Sequence, residues 1–284
     1  MEFPFLHKRT FLGPLQKMPP VSSSDNGSSP QTHREHDPAL LCAFLACTAC
    51  FHPELIAQHP HAWETSKFYA KAAENWLDWR CRKRNEAAMQ QIQAFLMLGY
   101  HEWNACEERG GYMLIQQGVG FAKMEGYMHD DEPLVDRPQE ARSQENVISR
   151  RDRFIQQESR RRTFWSCFIM DRYLSVGKRR PRMIQLDDIR NAIQIPCSDK
   201  SFISGRAVRT RYFGETDREY AKRRQEIDEK ALQGDDQQKS EQIVWEVRED
   251  DGMLGRYMFT LDLFIDVNKW ANNGGRRYAS DTLG

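Results

Sequence analysis

One run in this chain carries charge up to its edge and then drops it. Glu158-Ser-Arg160-Arg161-Arg162-Thr sets three arginines directly against Phe164-Trp165-Ser-Cys-Phe168-Ile169-Met170. A half-buried strand would alternate along such a run, and a surface helix would keep a polar face; the run does neither. It reads as a helix enclosed by protein, so the rest of the chain has to supply the elements that enclose it. A chain of 284 residues is long enough to bury a core of that kind.

The remaining periodicity is helical, and nothing alternates with period two for long enough to predict a sheet. Pro38 suits a first helical turn, and Ala39 to Phe51 is apolar nearly all round, as in a buried helix. A second helix is predicted from about Trp63 to Arg82, with Phe68, Ala72, Trp76 and Trp79 as its core stripe. A third, Glu86 to about Glu108, carries Met89, Ile92, Leu96 and Tyr100. A fourth comes after a Gly110-Gly111 break with Met113, Leu114, Gln117, Phe121 and Met124. Short connections make these antiparallel neighbours, and the expected class is all-α, a multi-helix array with charged or disordered inserts.

The expected organisation is an opening segment at 1–20, a Ser/Asn/Gly/Pro linker at 21–37 and a helical core at 38–198. A charged insert is expected at 199–252, because Glu215 to Asp251 holds 13 acidic and 7 basic residues with few apolar ones. A further, truncated helical part of the same domain is expected at 253–284. Its helix, Leu254 to Trp270, places Asp262, Asp266 and Lys269 on one narrow polar stripe. Phe259, Leu261, Leu263, Phe264, Ile265, Val267 and Trp270 cover the remainder, so a contiguous apolar patch is predicted there.

Charge and cysteine content exclude several functions. Lys and Arg number 41 and so do Asp and Glu, so the chain as a whole is no basic glove for nucleic acid. Locally, Ile148 to Arg182 holds 11 basic and 3 acidic residues, but its arginines lead into the enclosed run. They read as braces that pair with carboxylates of neighbouring helices, with direct phosphate binding as the alternative. Seven cysteines show no secreted disulfide spacing, the N-terminus lacks the pattern of a signal peptide, and the longest apolar run, Ala39 to Phe51, is too short to span a bilayer.

No catalytic or metal motif is complete. Cys47-Thr-Ala-Cys50 is a lone pair in an apolar helix, without a second ligand pair. His101-Glu102 opens like a zincin motif, yet Ala105 stands where the second histidine belongs. Gly118 and Gly120 are followed by Lys123 in place of a third glycine, and no strand precedes them, so they read as helix-packing glycines. The expectation is a chain with no catalytic, metal-binding or cofactor-binding residues.

The arginine run and the residues after it, as far as Pro196, resemble the signature of the fungal-specific transcription factor domain, the middle homology region of fungal zinc-cluster transcription factors. The residues that carry the resemblance are Glu158, Arg160, Arg161, Arg162, Phe164, Trp165, Asp171, Arg172, Arg180, Pro181, Ile184, Asp188, Ile189 and Pro196. Phe3 to Leu12, Phe51 to Leu55, Gln93 to Trp103 and Asn268 to Arg277 resemble further landmarks of that domain. Lys178-Arg179 lengthens the turn before Arg180, and the family's six-cysteine cluster for two zinc ions is missing here.

The resemblance implies an all-α regulatory domain of a nuclear transcription factor, with DNA reached only through a zinc-cluster module outside these residues. It implies no zinc in this chain itself. Co-regulators, a small-molecule effector or a second copy would be its partners, and no membrane. A helical protein-interaction scaffold without a transcriptional role is the alternative.

Overall fold

The computed structural model describes residues 3–16, 36–83, 88–130, 150–176, 180–233, 246–247 and 252–272. Most of the linker expected at 21–37, the Lys178-Arg179 turn and the last landmark beyond Asn272 lie outside the described residues. Helices dominate, and they fall into two compact units, Met1–Glu125 and Gly126–Gly284. The predicted core at 38–198 spans the division between them.

The first unit contains α1 (Lys8–Gln16), α2 (Pro38–Thr48) with a 3-10 turn at Ala49–Phe51, and α3 (Pro53–Ile56). It continues with α4 (Ala62–Lys83), α5 (Ala88–Asn104) and α6 (Glu108–Met124). Pro38 opens α2 as expected, and Asp37 caps it by accepting the Ala39 N–H at 2.9 Å. The Asp37 N–H in turn donates to Gln90 at 2.6 Å, which ties the start of α2 to α5. His36 also packs here, its ring 4.8 Å from that of Phe11 and its Nε2 2.7 Å from the Phe11 carbonyl. The expected linker therefore ends before residue 36.

The face that α4 buries differs from the predicted stripe. Phe68 and Trp76 are exposed, at 57% and 40%, whereas Ser66, Ala70, Ala73 and Leu77 are buried. Trp79 lies among residues whose side chains are not described. The cause is what α4 meets: α2 offers Ala39, Ala43, Ala46 and the following Ala49, and small residues on both sides allow close approach of the backbones. Large side chains would hold these helices apart.

The same economy of volume governs α5 and α6. Residues 91–99 of α5 are buried throughout, because α2 and α6 both pack on it. Gly110 and Gly111 lie inside α6 and do not break it. A Cβ built on Gly111 would stand 2.9 Å from the Gly99 carbonyl oxygen, and one on Gly118 would stand 3.2 Å from the Phe95 Cβ. Gly99 facing Gly111 and Phe95 facing Gly118 establish an antiparallel pair. The buried face of α6 is Gly111, Ile115, Gly118, Val119 and Ala122, while the predicted Met113, Gln117 and Met124 are exposed. Of the two predicted packing glycines Gly118 meets a neighbour, and Gly120 meets none within 4 Å.

The second unit is built on α7 (Arg150–Leu174), followed by α8 (Leu186–Ile189), α9 (Asp199–Ser204), β1 (Val208–Arg209) and α10 (Asp217–Gln233). It closes with β2 (Glu246–Val247), paired in parallel to β1, and α11 (Met253–Asn272). From Glu158 to Arg172 every residue of α7 is buried except Arg160, which is partly so. Trp165 is fully enclosed, with rings of Phe164, Phe168 and Phe213 at 5.4, 5.3 and 5.2 Å, and its indole N–H donates to the Gln194 carbonyl at 2.9 Å.

Phe213 belongs to the stretch expected as a charged insert, and so do the buried Phe202, Val208 and Tyr220. Residues 199–220 are thus part of the packed unit. Their charge sits on the outside, and a few well-spaced apolar side chains suffice to anchor them. On α11 the expected exposed apolar surface is present, but one member of the expected polar stripe is buried. Asp262 faces inward with Met258, Leu261 and Ile265, while Leu263, Phe264, Val267 and Trp270 are more than half exposed.

Candidate functional site

The signature arginines are held by carboxylates at two levels of α7. At the first level Glu158, with no exposed surface, accepts from Arg161 Nη1 at 2.5 Å, from Arg162 Nε at 3.0 Å and from the Cys197 N–H at 2.9 Å. Arg161 Nε also donates to Asp130 at 3.0 Å, and the other oxygen of Asp130 accepts the Gln194 N–H at 2.6 Å. Arg162 donates to Asp199 at 2.7 Å and to the Cys197 carbonyl at 2.8 Å, with Phe202 beneath its guanidinium. Burial by itself would lower the pKa of Arg161. The adjoining Asp130 and Glu158 outweigh it and hold that pKa above the ordinary arginine value.

The second level lies about three turns along the helix. Asp171 accepts the N–H groups of Met183 and Ile184 at 3.0 and 3.1 Å, which fixes the chain after the Arg-Pro turn. Arg172 Nε donates to Asp262 at 2.6 Å, and its Nη1 donates to the Ile184 carbonyl at 2.9 Å and to Asp171 at 3.2 Å. Burial, together with the charge of Arg182, keeps the Arg172 pKa below the usual value despite Asp262. Arg182 in turn donates to Asp266 at 2.5 Å.

Of the predicted signature, Glu158, Arg161, Arg162, Phe164, Trp165, Asp171 and Arg172 come together in this interior, and Pro196 is buried beside Cys197. Pro181 and Asp188 are exposed and Arg180 is partly buried. Arg160 points elsewhere, donating to the Gly126 carbonyl at 3.2 Å with its guanidinium 4.6 Å from the Tyr127 ring centroid. The carboxylates Asp130 and Asp199 were not legible as partners, since no local pattern marks them. Asp262 was read as part of an outer polar stripe with Asp266 and Lys269, so its inward pairing was missed.

A cleft of about 570 Å³, including its open mouth, lies beside the first level. Tyr127, Phe154, Arg160, Arg161, Ile193 and Arg209 are among its lining residues. Among the described residues Asp130 is its one acidic lining residue.

Among the described residues no three His, Cys, Asp or Glu side chains gather as metal ligands. Cys47 Sγ donates to the Met97 carbonyl at 3.4 Å, and burial pushes its thiol up to about 12, away from the thiolate that zinc requires. No helix among the described residues is long and apolar enough to cross a membrane.

Comparison with known proteins agrees with the residues. The model of the fungal specific transcription factor domain matches residues 1–228. That range takes in α9, β1 and the start of α10; Phe202 of α9 and Val208 of β1 are buried in one cluster with Phe154 and Ile155 of α7. A transcriptional regulatory protein of Schizosaccharomyces pombe, described as uncharacterized, is 25% identical over 183 residues, 62% of this chain and 24% of its own length. The Zn(2)-C6 fungal-type transcription factor FTF1c of Fusarium oxysporum f. sp. lycopersici is 33% identical over 126 residues, 44% of this chain and 13% of its own. The factor FTF2 of the same organism is 33% identical over 117 residues, 41% of this chain and 10% of its own. The chain thus spans a quarter or less of the curated relatives it matches, and no solved structure matches it significantly. With that family model matching residues 1–228 of its 284, the chain belongs to the fungal specific transcription factor domain family.

Proposed function

We propose that this chain is the control portion of a nuclear transcription factor, acting by contact and without enzymatic chemistry. It would hold an attached DNA-reading module active or inactive and switch when an effector, a co-regulator or a second copy binds. The observation that carries this reading is the state of the signature arginines. Arg161, Arg162 and Arg172 are at most 9% exposed and already engaged with Glu158, Asp130, Asp199 and Asp262. A phosphate-binding helix presents its basic groups to solvent, whereas these three arginines are enclosed. DNA would therefore be reached through another module, and no zinc is assigned to this chain.

The test is a fusion of residues 1–284 to an unrelated DNA-binding domain, read on a reporter carrying that domain's operator in a fungal nucleus. The expected result is reporter output that differs from the DNA-binding domain alone and that Trp165→Ala abolishes. Unchanged output, or a sequence-specific footprint of the isolated chain on DNA at physiological salt, would overturn the reading.

A further inference from the structure

We propose that the exposed face of α11 is a dimer interface, on which a second copy of this chain docks antiparallel through the same face. The inference names one partner class of the regulatory reading above, and it rests on that reading only for its biological meaning.

The residues of α11 divide by direction. Met258, Leu261 and Ile265 are buried, and Asp262 beside them reaches Arg172 of α7. On the outer side Met253, Arg256, Thr260, Leu263, Val267 and Trp270 are all exposed. They follow one another at spacings of 3, 4, 3, 4 and 3 residues, the seam along which two helices pack knobs into holes. Tyr257 and Phe264 flank the seam on one side, Phe259 and Asp266 on the other. The flanks are tied to the body of the unit. The Tyr257 hydroxyl meets that of Tyr173, the Phe259 ring stacks on Phe213 with centroids 4.9 Å apart, and Asp266 accepts from Arg182. A face held this way loses little freedom when a partner arrives.

Extent and register both point to a second copy. Met253, Leu263 and Trp270 are 80%, 66% and 55% exposed, and Tyr257, Phe259, Phe264 and Val267 add to them. At about 150–250 Å² for an aromatic side chain, and somewhat less for the others, roughly 700 Å² of apolar surface stands open here. That is close to the ~800 Å² each partner gives a standard interface, and above the about 300–600 Å² of the largest patch on an ordinary monomer.

In an antiparallel register the seam is its own complement. Met253 lies opposite the partner's Trp270, Arg256 opposite the partner's Val267 and Thr260 opposite the partner's Leu263. The two-fold axis repeats each layer, so no seam position is left unmatched. The thioether of Met253 suits an indole ring. Arg256 also comes beside the partner's Asp266, which places one pair of opposite charges on each side of the axis. A parallel pairing would instead set Arg256 against its own copy, two like charges within an apolar seam.

The test is sedimentation velocity of the whole chain over a concentration series, and a reversible dimer is expected. Leu263→Glu, which sets a charge in the seam, should weaken the dimer at least about tenfold. The site is exposed, and an unchanged melting temperature confirms that this variant is folded. Orientation is read by oxidative cross-linking with the exposed thiol removed by Cys106→Ser. Mixed Arg256→Cys and Val267→Cys chains should join to each other, and neither should join to its own kind. A chain that stays monomeric overturns the proposal. Thiol labelling of Val267→Cys in that monomer then shows what holds the face instead: slow reaction means other residues of this chain, and fast reaction a partner of another kind. A dimer indifferent to Leu263→Glu, or cross-links of like to like, would overturn the proposal as well. A dimer without reporter output would leave the interface standing and remove the regulatory reading; output from a monomer would do the reverse.

Discussion

Replacing Glu158 by alanine tests whether the arginine framework holds the second unit together. The carboxylate is wholly enclosed and accepts three hydrogen bonds, two from guanidinium groups and one from the Cys197 N–H. In Glu158→Ala, Arg161 keeps Asp130, while Arg162 keeps the Cys197 carbonyl and Asp199, whose side chain is 71% exposed and screened by solvent. Removing one partner from a buried pair costs roughly 3–5 kcal/mol, because the remaining charge stays buried without compensation. At about 1.4 kcal/mol per factor of ten, protection of the α7 amides should fall by roughly two to three and a half orders of magnitude. Hydrogen exchange read by mass spectrometry on peptides of α7 measures this unit by unit, without assuming that the whole chain melts in one step. Asp199→Asn, at the exposed end of the network, should cost no more than about 1 kcal/mol. If Asp199→Asn proves the more damaging of the two, the charges are not a buried framework and the reasoning fails.

Two further outcomes concern the first unit. Gly111→Ala should lower its melting temperature, since the new Cβ meets the Gly99 carbonyl and the Trp103 N, both backbone atoms that cannot rotate away. Overpacking of about 1–3 kcal/mol exceeds the roughly 1 kcal/mol that alanine gains in a helix, whereas Gly120→Ala meets nothing and should raise the melting temperature. In thiol labelling of the folded chain at pH 8, exposed Cys106 should react while Cys47 stays protected. The folded pKa of Cys47 lies above its unfolded value. Any stability from its neutral thiol is therefore complete below about pH 9, and is lost as the pH rises toward 12. Rapid labelling of Cys47 at pH 8 would contradict its raised pKa.

What the sequence disclosed and what it hid divide along a physical line. The apolar run from Phe164 to Met170 announced an enclosed helix because no other environment tolerates it, and its burial is complete. Pro38 was legible for the same reason, since its ring restricts where it can stand. The stripes of α4 and α6 were misjudged because hydrophobic bulk was taken as the mark of the core. There the deciding variable is backbone approach, and the contact residues are alanine and glycine, which score weakly on any hydropathy scale. Within the site, the arginines were visible but their partners were not. Asp130 and Asp199 lie 31 and 37 residues from the arginines they bind, and pairing at such separation leaves no periodic trace.

The bond between Arg172 and Asp262 joins residues 90 apart in sequence. It also fixes an order of events. The contacts that Glu158 makes with Cys197, Arg161 and Arg162 span 39 residues at most, so they can form while the chain beyond is still being made. Closing a longer loop delays a contact more than it weakens it, because the entropy of closure grows only with the logarithm of loop length, about 0.6 kcal/mol per doubling. α11 is therefore the last element expected to dock on α7. Changes in the length of the segment before it should slow its arrival on the ribosome or during refolding while leaving its final seat nearly as firm.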